Sequence, residues 1–167
     1  DYIEAAKLSY KKKDIDYKNT SLRVCYNPKK GVWYFHLCKF FNRKIDFVPI
    51  SNLNEIELIQ LFQNSHAYVD FGSQPGKDRL PREAIGCGCP SFIMSSGAGV
   101  NFSDFPRSSM FRFKISQLPF LHSIIKNGIK NSLSNSNLNL VRAMEVSVEE
   151  QEFEIRVSEL NRILNLH

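Results

Sequence analysis

Short apolar runs alternate with longer segments of helical period along this chain. LRVCY (Leu22 to Tyr26), IDFVP (Ile45 to Pro49), AYVDF (Ala67 to Phe71) and SFIM (Ser91 to Met94) are bounded by turn residues and predict strands; MFRF (Met110 to Phe113) predicts a fifth. After the first run, Asn27-Pro28 reads as a helix start, because Asn caps and Pro suits the first helical position. Trp33, Leu37, Phe40 and Phe41 follow at helical spacing. Asn54 is expected to cap a helix through about Asn64, with Leu58, Leu61 and Phe62 on one face. Pro81 opens a short helix that Gly88 and Pro90 close. A helix is expected from about Leu118 to Asn127, and the Ser/Asn-rich stretch 130–139 reads as loop.

Strands alternating with helices predict an α/β fold: one Rossmann-like three-layer domain with a parallel sheet of four to five strands. The simplest strand order is 2-1-3-4-5. The loops after Tyr26 and after Phe71 then face each other across a crevice beyond the carboxyl ends of the strands, where such sheets bind ligands. Residues 1–20 are read as an N-terminal helix (Ala5 to Lys13) and linker. Residues 21–139 form the domain, and 140–167 a Glu-rich C-terminal helix.

Composition changes this picture little. The 167 residues suffice for one domain with a real core, and 43% apolar with 23% charged residues is ordinary for a globular protein. The first residue is Asp1, which reads as a fragment or a processed chain. No run approaches the roughly 18 apolar residues that span a bilayer, and no secretory signal is visible, so the expected location is cytoplasmic. Cys87 and Cys89 form C-x-C rather than the C-x-x-C of metal sites, and no histidine completes a ligand set. The four cysteines are read as buried thiols, and no metal is expected.

Charge changes it more. The net charge of +5 admits nucleic acid, phosphates or anionic lipid as partners. Lys11-Lys12-Lys13 reads as a solvated helix face. The informative cations flank two expected helix starts: Lys29 and Lys30 after Asn27, and Lys77, Arg79 and Arg82 around Pro81. Cations there oppose the helix dipole, at about 0.3–1 kcal/mol each, unless an anion is bound. Free N–H groups with Lys and Arg side chains make a phosphate site; the alternative is side chains that point into water. Gly72 and Gly76, with Ser73, let backbone approach a ligand. Asp78 reads as a partner for Arg79 or Arg82. Two readings of Glu83 stand: it holds ribose hydroxyls beside the phosphate site, or it only complements its helix dipole. Nucleic acid is disfavoured, since the cations cluster at two helix starts rather than along a stripe with aromatics.

The stretch YVDFGSQPGKDRLPREAIGCGCPSFI, Tyr68 to Ile93, resembles the donor-binding region of GT-B glycosyltransferases of the group 1 type. Their pattern is a strand, a Gly-containing loop, Glu-Ala-x-x-x-Gly-x-Pro and a strand; Glu83, Ala84, Gly88 and Pro90 fill it. The PGKDR-x-PREA wording and Asn27-Pro28-Lys29-Lys30-Gly31 also resemble an uncharacterised subgroup found among polysaccharide-biosynthesis genes. The resemblance covers about Leu22 to Phe113. It implies the C-terminal half of a GT-B enzyme, a nucleotide diphosphate-sugar as substrate and no cofactor. The acceptor-binding half would be an N-terminal domain or partner subunit that this chain lacks. The resemblance makes Glu83 the ribose ligand and Lys30, followed by Gly31, the diphosphate ligand; Gly97-Ala98-Gly99 resembles the next small-residue loop. Two departures stand out. Pro75 occupies the position, eight before Glu83, where the larger family has another glutamate. The chain is also one βα unit short of the family pattern between the first and third strands, so Arg79 or Lys77 is an alternative to Lys30 at the phosphates. A non-catalytic nucleotide- or phosphate-binding module of the same ancestry is the alternative function.

Overall fold

A computed structural model describes residues 21–72, 79–96, 110–134, 155–160 and 162. The elements are β1 (Leu22–Tyr26), α1 (Val32–Phe41), β2 (Ile45–Pro49), α2 (Glu55–Gln63), β3 (Ala67–Asp70), α3 (Arg79–Gly86), β4 (Ser91–Met94), β5 (Met110–Phe113), a 3-10 segment (Ile115–Phe120) and α4 (Leu121–Ser134). The five strands form one sheet in the order β2-β1-β3-β4-β5, and every pair is parallel. This is a Rossmann-like three-layer α/β domain.

The period-two alternation of strand side chains decides what each face buries. Val24, Tyr26, Val69 and Phe92 point to one side, where they meet Phe35 and Cys38 of α1, Leu118, and Leu121, Ile125 and Ile129 of α4. Cys25 and Tyr68 point to the other side, against Leu58 and Phe62 of α2 and Ala84 and Cys87 of α3. Every residue of β3 and β4 is buried. Strands covered on both faces have no solvent side, which is why apolar residues fill them apart from Asp70 and Ser91 at their ends.

Helix ends follow local chemistry. Asn54 Oδ1 accepts from Glu57 N (3.0 Å) while Glu57 Oε2 accepts from Asn54 N (2.8 Å), a reciprocal capping box. At the end of α3, Gly88 N donates to Ile85 O and Cys89 N to Ala84 O, both at 2.8 Å, the paired bonds of a Schellman turn.

Three boundaries differ from the sequence expectation. Helix α1 starts at Val32, not after Asn27, because Gly31 stands at its N-cap in the left-handed region (φ 59°). Helix α3 starts at Arg79, two residues before Pro81; Pro81 still lies in the first turn, where its missing N–H costs nothing. The helical stretch after β5 opens with a 3-10 segment around Pro119, and α4 continues to Ser134, taking in residues read as loop. Buried Ile129 anchors this later part of α4, although the sequence that follows is rich in Ser and Asn.

The outer pattern of α1 also differs from an ordinary sheet-covering helix. Phe35 and Cys38 are its buried residues, whereas Trp33, Leu37, Phe40 and Phe41 are exposed. Phe35 wins the inner face because it stacks on Tyr26, with ring centroids 4.1 Å apart and planes 10° off parallel. The expected helix at 5–13, the loop at 97–109 and most of 140–167 lie outside the described residues, although 155–160 are helical.

Candidate functional site

The chain leaves β1 toward β2 on one side, and β3 leads to β4 on the other. The gap between the carboxyl ends of β1 and β3 is therefore the switch point of the sheet. After β1, Asn27 folds the chain back on itself: its Oδ1 accepts from Lys29 N (3.0 Å) and its carbonyl from Lys30 N (3.3 Å). Asn27 thus holds a tight turn rather than capping α1, and Lys29 and Lys30 precede the helix instead of lying in its first turn.

This turn is pressed against the end of β3. A Cβ built on Gly31 would lie 2.2 Å from the carbonyl oxygen of Phe71. A Cβ on Gly72 would lie 2.8 Å from the Cβ of Lys30 and 3.1 Å from Asp70 Oδ1. Both positions admit only hydrogen, so the two loops touch through glycine.

Asp70 organises the contact. It is fully buried at the end of an apolar strand. Its Oδ1 accepts from Gly72 N (2.8 Å), its Oδ2 accepts from the Tyr68 hydroxyl (3.0 Å), and Lys30 Nζ stands 3.9 Å from Oδ2. Two hydrogen bonds and a nearby ammonium offset the burial of this carboxylate. The hydroxyl of Ser96, after β4, donates to Gly72 O at 3.3 Å. The ends of β1, β3 and β4 therefore meet at Gly72.

Helix α3 leads away from this loop. Arg79 Nε pairs with Glu83 Oε1 one turn later. The Arg79 side chain is 61% exposed, whereas that of Glu83 is only 10% exposed. Glu83 Oε2 is buried and, among the described residues, has no hydrogen-bond partner. An unmet carboxylate oxygen is costly unless a donor arrives. Arg82, half-buried, follows on the same helix. Pro81 O accepts from the Ser91 hydroxyl at 2.9 Å, which fixes α3 against β4.

Of the residues picked from the sequence, Lys30, Gly31 and Gly72 come together with Asp70, and Arg79 pairs with Glu83. Gly76, Lys77, Asp78, Pro75 and the 97–99 loop lie outside the described residues. Sequence reasoning missed Asp70 as the organiser of the crevice. The signal was present: a carboxylate closing an apolar strand, with glycine two residues on.

All four cysteines are free and buried. Burial pushes the Cys38 thiol up to about 12. Burial, then the nearby charges of Glu83 and Cys25, push Cys87 up to about 12 as well. Neither is a nucleophile at neutral pH. Among the described residues no three His, Cys, Asp or Glu side chains are grouped to hold a metal ion, and no helix is long and apolar enough to cross a membrane.

The fold and crevice define a Rossmann-like domain with a polar switch-point site. Comparison with family models, with curated proteins and with solved structures finds no match in any of the three.

Proposed function

We propose that this chain is the donor-binding domain of a GT-B type glycosyltransferase, taking a nucleotide diphosphate-sugar at the crevice between Asn27–Gly31 and Gly72–Glu83. The observation that carries the reading is Glu83: a carboxylate nine-tenths buried, fixed through one oxygen by Arg79, with the other oxygen unpartnered. A ribose diol offers hydroxyl donors to such an oxygen, and a carboxylate beside it repels phosphate, which orients the nucleotide. Arg79 keeps donors beyond the one spent on Glu83, and with Lys30 it would stabilise charge on the leaving diphosphate. The motif around Glu83 supports the same assignment by resemblance. Polysaccharide or glycoconjugate synthesis is the process it implies, with the acceptor held by a further domain or a partner subunit.

A second reading, a nucleotide-binding module without transfer, draws on Pro75 in place of the first glutamate of the family pattern. Calorimetric titration with UDP, GDP, the nucleosides and UDP- or GDP-hexoses tests both. The transferase reading expects diphosphates to bind and nucleosides not to, with the nucleotide-sugar tighter than its diphosphate. Equal affinity for nucleotide-sugar and diphosphate would leave the binding module. Binding no better than that of the nucleosides would end both.

A further inference from the structure

Helix α1 carries a second apolar face that, among the described residues, packs against nothing in the core. Phe35 and Cys38 take its inner side. On the outer side Trp33 is 77% exposed and Phe40 67% exposed, with Val32, Leu37 and Phe41 also open to solvent. Trp33, Leu37 and Phe40 are spaced four and three residues apart, so they share one side of the helix. The neighbouring 3-10 segment adds exposed Ile115 and Phe120. That segment is tied to the end of α1 by Asn42 Nδ2, which donates to Leu118 O at 2.8 Å. Large contiguous apolar surface on a protein marks an interaction site.

The charge around this face is one-sided. Along α1 and the turn after it, from residue 32 to residue 45, the chain holds Lys39, Arg43 and Lys44 and no Asp or Glu; the next acidic residue is Asp46 on β2. Lys39, Arg43 and Lys44 are all exposed, at the carboxyl end of the helix. A second copy of this chain would bring like charges together across the contact, and protein interfaces are depleted of Lys. Trp, Phe and Leu on one helix face, bordered by Lys and Arg, are what an anionic membrane interface selects.

We propose that this face docks on an anionic lipid bilayer. Helix α1 lies along the surface, Trp33, Leu37 and Phe40 enter the boundary between headgroups and acyl chains, and Lys39, Arg43 and Lys44 engage acidic headgroups. The inference does not depend on the nucleotide reading of the crevice.

Trp33 is the one tryptophan of the chain, so its emission reports on this face directly. The experiment titrates the full chain with vesicles of phosphatidylcholine and phosphatidylserine, and in parallel with phosphatidylcholine alone. The expected result is a blue shift with the mixed vesicles, quenching by brominated acyl chains, weakening at high salt and little response to phosphatidylcholine alone. Replacing Arg43 and Lys44 together (Arg43→Gln, Lys44→Gln) should weaken partitioning by roughly 25-fold at low salt, about fivefold per cation. Phe40→Ser should also weaken it, with unchanged circular dichroism, since the side chain packs outward. No shift with the mixed vesicles, or an equal shift with both kinds, overturns the proposal. So does emission that is already blue without lipid. If that emission depends on protein concentration, self-association covers the face. If it does not, the chain covers the face itself.

Discussion

Gly31→Ala is the sharpest test of how the crevice is built. An L-residue at φ 59° costs about 1–2 kcal/mol in itself. The larger effect is steric. The new Cβ would lie 2.2 Å from Phe71 O and 2.5 Å from Phe71 C, both backbone atoms that no rotamer change can move. Relief to an ordinary contact of about 3.4 Å requires the β1–α1 turn to retreat from β3 by more than 1 Å. Retreat pulls on the first helical bond, Phe35 N to Gly31 O at 2.9 Å, and on the Phe35–Tyr26 stack, worth about 0.5–1.5 kcal/mol. The sum is on the order of 3 kcal/mol, a large share of the 5–15 kcal/mol that holds a typical domain together. Urea denaturation followed by circular dichroism measures it, and Gly31→Asn serves as control. Asn tolerates the left-handed region but still carries a Cβ, so it should recover only the backbone part of the loss. A Gly31→Ala protein within about 1 kcal/mol of the parent, or full recovery by Gly31→Asn, would refute the contact with Phe71.

Three further outcomes are expected. Asp70→Ala should destabilise more than Tyr68→Phe in the same denaturation assay. It strands the Gly72 amide and the Tyr68 hydroxyl and removes the counter-charge of Lys30, whereas Tyr68→Phe removes one of the two hydrogen bonds to Asp70; equal losses would contradict the organising role of Asp70. Cys38 and Cys87, raised from 9.0 to about 12, carry roughly 1,000-fold less thiolate at pH 8 than a free thiol, so labelling by a disulfide reagent should track unfolding; fast labelling of the native protein would count against their burial. The His122 imidazole is held below its usual range, first by burial and then by Lys126 and Lys44. Its unfolded form takes up a proton near pH 6.5 before the folded form does, so stability should fall as pH drops through about 6.5, and His122→Gln should reduce that slope.

The sheet was legible because central parallel strands leave a plain trace: short, mostly apolar runs between turn formers, as in Ser91 to Met94. The cap at Asn54 was legible because both members of the box lie within four residues. The start of α1 was not, since Asn27-Pro28 satisfies the local rules for a helix start and only contact with Phe71, some forty residues away, holds Gly31 in the left-handed region. The direction of α1 was ambiguous for a related reason. Trp33, Leu37 and Phe40 make as good a stripe as Phe35 and Cys38, and the choice rests on the fit of Phe35 against Tyr26. At the crevice, glycines and cations announced themselves by residue type. Asp70 did not, because its role depends on a hydroxyl within its own strand and a lysine from another loop.

Under the proposed function, Glu83 and Arg79 divide the recognition of a nucleotide diphosphate. The most direct measurement is calorimetry of Glu83→Gln and Arg79→Ala against UDP and against inorganic pyrophosphate. Glu83→Gln keeps the size of the side chain but weakens two charge-assisted hydrogen bonds, each worth roughly 1.5–3 kcal/mol. Its affinity for UDP should therefore fall at least about tenfold, a loss of 1.4 kcal/mol or more. Pyrophosphate has no ribose, so Glu83→Gln should bind it as well as the parent or slightly better. Arg79→Ala should weaken both ligands together. If Glu83→Gln instead weakens pyrophosphate as much as UDP, Glu83 acts only through its helix or its pair with Arg79, and the crevice is not the ribose site of a nucleotide-sugar domain.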